Sequence, residues 1–83
     1  MNAEDIKNTL LRHFPKKEIR VIPGYAVNEG AFEIQVVDMI FNGETWDTVG
    51  VRVFYDPWDP QSISSSPLSK QILYIEGFFK HYE

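Results

Sequence analysis

Residues 31–55 read AFEIQVVDMIFNGETWDTVGVRVFY: two runs of alternating apolar and polar residues separated by Asn42-Gly43. Alternation at period two is the pattern of strands with one buried face. Asn-Gly is the dipeptide best suited to a type I′ hairpin, whose two central residues need positive φ. A two-residue loop makes paired residue numbers sum to 85, which sets Val36 opposite Val49, Ile34 opposite Val51 and Phe32 opposite Val53. These six apolar residues share one face, and on the other Glu33 falls opposite Arg52 as a cross-strand ion pair. A four-residue loop, Asn42 to Thr45, raises the sum to 87 and keeps the same residues on the same faces. In the shorter register Asp38 faces Asp47, and like charges directly opposite are destabilising. A bulge near Val37, a hairpin tip projecting into water, or a cation or a partner's Lys or Arg between the two would each relieve that contact.

Upstream, Ile19-Arg20-Val21-Ile22, Pro23-Gly24 and Tyr25-Ala26-Val27 read as one edge strand kinked at Pro-Gly, because proline cannot donate to a ladder. Asn28-Glu29-Gly30 then forms a three-residue hairpin loop with Gly30 left-handed. Before the strand, Asn2 is suited to cap a helix, with Glu4 and Asp5 where free amides favour negative charge. Ile6, Leu10 and Phe14 make an apolar stripe with Leu11 beside them, and Pro15 ends it, so the first helix spans residues 3–14. Downstream, residues 56–67 have no periodicity and three prolines, the mark of a Pro/Ser-rich loop. Ser66 and Pro67 then suit the cap and first turn of a second helix carrying Leu68, Ile72, Ile75, Phe79 and Tyr82. The competing reading is a strand at Gln71 to Ile75, where Ile-Leu-Tyr-Ile has high β propensity and Gly77 weakens a helix.

The expected architecture is α+β, in the order α-β-β-β-α. A three-stranded antiparallel meander of order 1-2-3 carries an N-terminal and a C-terminal helix on one face. This order resembles the double-stranded-RNA-binding fold, which implies a nucleic-acid-binding domain as an alternative function. That family presents a lysine cluster at the start of its last helix, where this chain has Ser64-Ser65-Ser66-Pro67-Leu68-Ser69-Lys70. The helix ending in Phe14-Pro15 and the strand Phe32 to Val37 are similar to the BolA family, which continues into a helical pair where this chain has Val49 to Tyr55.

With 83 residues the chain has room for one small domain, and 43% hydrophobic content separates it from disordered sequences. It contains no cysteine, which excludes disulfides and thiolate chemistry. No basic run leads into an apolar stretch at the N-terminus and no apolar segment approaches the length of a membrane span, so the expectation is a soluble, cytoplasmic protein with no membrane partner.

His13 and His81 stand near the ends of the two helices without further ligands at metal spacing, and read as solvated histidines beside helix C-termini. Ser62 to Ser69 contains five serines but neither a Gly-x-Ser-x-Gly elbow nor a Ser-x-x-Lys pattern, and reads as linker and cap. The five glycines are scattered at turns and frame no phosphate loop. No catalytic residue, metal ligand or cofactor is expected.

Charge is uneven: residues 1–20 carry a net +2, with Lys16, Lys17 and Arg20 clustered, whereas residues 29–59 carry -6. The bland reading is a solvated acidic face that keeps the protein soluble; the sharper one is a docking surface for a basic protein partner. Tyr55-Asp56-Pro57-Trp58-Asp59-Pro60 is the most unusual segment. Each Asp-Pro initiates a turn, and Trp58 either folds over the sheet or is presented between carboxylates as an interface anchor. The candidate partner-binding residues are therefore Glu44, Trp46, Asp47, Asp56, Trp58 and Asp59. They suit a small acidic adaptor, accessory subunit or inhibitor with no catalysis of its own. Strand 46–55 has no proline and only Asp47 and Arg52 as charges, so its edge could pair with a second copy near Phe54 to give a homodimer, unless the 56–67 loop or the second helix covers it.

Overall fold

A computed structural model of the chain describes residues 2–24, 31–55 and 68–82. Helix α1 spans Ala3–His13 and starts with a capping box. Asn2 Oδ1 accepts from the Asp5 amide at 2.9 Å, and Asp5 Oδ2 accepts from the Asn2 amide at 3.4 Å. The helix closes at Phe14, whose N–H donates to the Leu10 carbonyl at 2.8 Å. Its stripe is buried as the spacing predicts, with Ile6 and Leu10 fully enclosed and Phe14 nearly so.

Strands β1 (Glu18–Pro23), β2 (Phe32–Phe41) and β3 (Trp46–Tyr55) form an antiparallel sheet of order β1-β2-β3. Helix α2 spans Leu68–Lys80, and α1 packs against β1 while α2 packs against β3. The fold is thus α+β, in the order α1-β1-β2-β3-α2. Over Gln71 to Ile75 the stripe Leu68, Ile72, Ile75 and Phe79 decides for helix: all four are buried against the sheet, and that tertiary gain overrides the local β propensity. The core joins Ile6, Leu10 and Phe14 of α1 to Ile19, Phe32, Ile34, Val36 and Val53 of the sheet and to the α2 stripe.

The hairpin register corrects the two-residue loop. Phe41 pairs with Trp46, Val36 with Val51 and Ile34 with Val53, so the paired numbers sum to 87 and Asn42 to Thr45 form a four-residue loop. Sidedness is unchanged. Two expected contacts change with the register: Gln35 rather than Glu33 stands opposite Arg52, and Asp38 faces Val49 instead of Asp47. Glu33 and Arg52 still meet diagonally, with Nη1 and Oε1 3.5 Å apart. The like-charge contact is removed by the longer loop, and Asp38 finds a cation instead. Lys17 Nζ lies 3.2 Å from Asp38 Oδ2 and 4.7 Å from the centre of the Phe79 ring. One side chain so ties the α1–β1 connection, the middle strand and the end of α2 together.

Described β1 ends at Pro23, where the Gly24 amide donates to the Ala31 carbonyl at 3.0 Å and Gly24 takes a φ of 78°. The continuation to Val27, the Asn28-Glu29-Gly30 loop, the 56–67 loop and the Ser66-Pro67 cap lie outside the described residues.

Candidate functional site

The strands outrun the helices. Ten residues of β2 or β3 extend about 34 Å, whereas the thirteen residues of α2 cover about 20 Å. The long axis of the molecule is accordingly 44 Å against 23 and 21 Å. Burial on β2 stops at Val36, and the hairpin end carries large apolar side chains in solvent: Met39 is 55% exposed, Phe41 53% and Trp46 63%.

These three are not scattered. Strand alternation puts Val37, Met39 and Phe41 on the outer face, opposite the helices, and pairing brings Thr48 beside Met39 and Trp46 beside Phe41. The Phe41 and Trp46 rings lie 5.3 Å apart, tilted by 43°. Behind them Gly50, opposite Val37, leaves a shallow hollow of about 200 Å³ lined also by Gln35, Val51 and Arg52. A Cβ on Gly50 would stand 3.3 Å from Val37 Cγ2, so any larger residue here would push Val37 aside.

The turn above the aromatic pair is fixed by Asn42. Its Oδ1 accepts from the Glu44 and Thr45 amides at 2.9 and 3.0 Å, and its own amide donates to the Thr45 carbonyl at 3.0 Å. Asn42 Nδ2 donates to Asp47 Oδ2 at 2.8 Å, which holds one carboxylate against the turn. Gly43 takes a φ of 104°, a conformation open to glycine and costly for other residues. The tip is therefore a bonded turn presenting two aromatic rings rather than a floppy loop, and such preorganisation lowers the entropy cost of binding.

Of the sequence-predicted residues, Glu44, Trp46 and Asp47 lie at this tip, all exposed, with Asp47 on the opposite face of the hairpin from Trp46. Asp56, Trp58 and Asp59 lie outside the described residues. Met39 and Phe41 belong with the site and are absent from the sequence-predicted set. The signal for them is that β2 changes character on its outer face, from Glu33 and Gln35 to Val37, Met39 and Phe41.

The basic cluster has a different fate. Lys17 is held by Asp38 with only 19% of its side chain exposed, and Arg20 Nη2 lies 3.3 Å from Glu18 Oε1. Two of the three cations therefore have carboxylate partners. Among the described residues no helix is long and apolar enough to cross a membrane. The chain has no significant match to any protein-family model, curated protein or solved structure.

Proposed function

We propose that the chain is a protein-binding module, acting as an adaptor, accessory subunit or inhibitor without catalysis of its own. Its hairpin tip engages a partner whose apolar pocket is rimmed by basic residues. The observation that carries this reading is the exposed Phe41–Trp46 pair, continued by Met39, beneath the turn that carries Glu44. Large aromatic side chains in water cost free energy that binding recovers, and buried aromatic anchors dominate interface energetics. Glu44 and Asp47 at the hairpin end steer a basic partner, and the net -6 of residues 29–59 repels nucleic-acid phosphates.

The nucleic-acid alternative rests on element order and on Lys16, Lys17 and Arg20, and the ion pairs to Asp38 and Glu18 weaken it. Affinity capture from the source lysate over a salt series, comparing the wild type with Met39→Ser/Phe41→Ser, tests the proposal. A protein held by the wild type, weakened by salt and lost by the variant is expected. Equal capture by the variant, or capture of RNA or DNA in its place, overturns it.

A further inference from the structure

The two edges of the sheet are unequal. Strand β1 offers six residues, ends in Pro23 and has Arg20 on its outer face, the usual defences of an edge. Strand β3 offers ten residues without proline, and among the described residues β2 is its only strand neighbour.

Backbone bonding fixes which groups on that edge point outward. Asn42 and Thr45 bond across the hairpin, and Gly24 and Ala31 bond across β1 and β2. In an antiparallel ladder bonded and non-bonded pairs alternate, so both contacts set the same phase. The odd-numbered residues of β3 bond to β2, while Trp46, Thr48, Gly50, Arg52 and Phe54 turn their N–H and C=O groups away from it; Phe54 is already engaged, which leaves the segment Trp46 to Arg52 for a partner.

We propose that this segment pairs antiparallel with the same segment of a second copy, with the twofold axis beside Val49, to give a continuous six-stranded sheet. A twofold perpendicular to a sheet keeps every side chain on its own face, so paired numbers in such a dimer must sum to an even value. Of the even values only 98 matches residues 46, 48, 50 and 52 among themselves, Trp46 with Arg52 of the second copy and Thr48 with Gly50. Each such pair exchanges two hydrogen bonds, so the four pairs satisfy every outward group of the segment. The same register sets each Trp46 indole beside a guanidinium of the second copy, a favourable cation–π arrangement. Asp47 falls opposite Val51, Val49 opposite its own copy, and no like charges face each other. This self-complementarity of bonds and charge singles out a second copy of the chain rather than a foreign strand. Met39 and Phe41 stand on the neighbouring strand, outside the paired segment, whereas Trp46 is shared with the tip site; Thr48→Pro tests the dimer and Met39→Ser/Phe41→Ser the tip, so the two failures are distinguishable.

Sedimentation equilibrium from micromolar to hundreds of micromolar should show a mass approaching twice 9.7 kDa. Thr48→Pro removes an outward donor without touching the β2 ladder, and with wild-type circular dichroism it should return the mass to that of one chain. Because the chain has no cysteine, Val49→Cys should form an intermolecular disulfide on mild oxidation, since facing non-bonded residues bring Cα atoms within about 4.5 Å. Val51→Cys, displaced along the strand from its own copy, should stay reduced. A single-chain mass throughout, a dimer that Thr48→Pro leaves intact, or equal crosslinking at positions 49 and 51 would overturn the proposal.

Discussion

Ile34→Ala measures the core where the structure places its centre. Ile34 is fully buried on the middle strand, opposite Val21 of β1 and Val53 of β3, and faces the stripes of both helices. Truncation removes three methyl-sized groups at about 0.8 kcal/mol each and leaves a cavity between two layers that cannot readily collapse. The expected loss is about 3–4 kcal/mol. Scaling by length, a chain of 83 residues has a total stability of about 4–12 kcal/mol, so this is a large fraction of it. At roughly 4–8 °C per kcal/mol for a domain of this size, the melting temperature should fall by about 12–30 °C. Met39→Ala, five positions along the same strand on the open face, should stay within about 0.5 kcal/mol of wild type. Urea titrations followed by circular dichroism give both numbers, with slopes close to wild type if the denatured state is unchanged. A loss below 1 kcal/mol at Ile34, or a larger loss at Met39, would refute the assignment of faces.

Lys17→Met keeps most of the packing on Phe79 and removes the charge beside Asp38; a partly buried ion pair and a cation–π contact together predict a loss of about 1–2 kcal/mol in urea titrations, smaller in high salt. No loss would mean that this side chain is decorative. Gly43→Ala forces a Cβ onto a φ of 104° and should cost about 1–2 kcal/mol although the position is open to solvent, whereas a neutral result would argue against the four-residue turn.

Sidedness was legible in residues 31–55 because alternation has a period of two and survives any even change of register. Register itself was not. Whether Asn42-Gly43 or Asn42 to Thr45 makes the loop depends on Asn42 substituting side-chain bonds for backbone ones, and on Asp38 finding Lys17 from a different part of the chain. The clash of Asp38 with Asp47 was a sequence-level warning against the shorter loop, and its relief came from register and a chain-internal cation rather than a bulge. The second helix was ambiguous over Gln71 to Ile75 because local propensity and stripe disagree, and burial of Ile72 and Ile75 settles it. Trp46 stood out as an aromatic residue in an acidic stretch. Met39 and Phe41 did not: alternation places them with Glu33 and Gln35 on the outer face, but attention to the apolar set facing the core passes over apolar residues on the solvent side.

The central claim is that the hairpin tip is a binding surface, and its most direct test is calorimetric titration of the captured partner with Phe41→Ala. This residue supports Trp46 at 5.3 Å and stands on β2, the middle strand, one strand in from β3. With an unchanged melting temperature, affinity should fall by at least tenfold, the mark of an anchor worth about 1.4 kcal/mol or more. Wild-type affinity from a folded Phe41→Ala protein would contradict it.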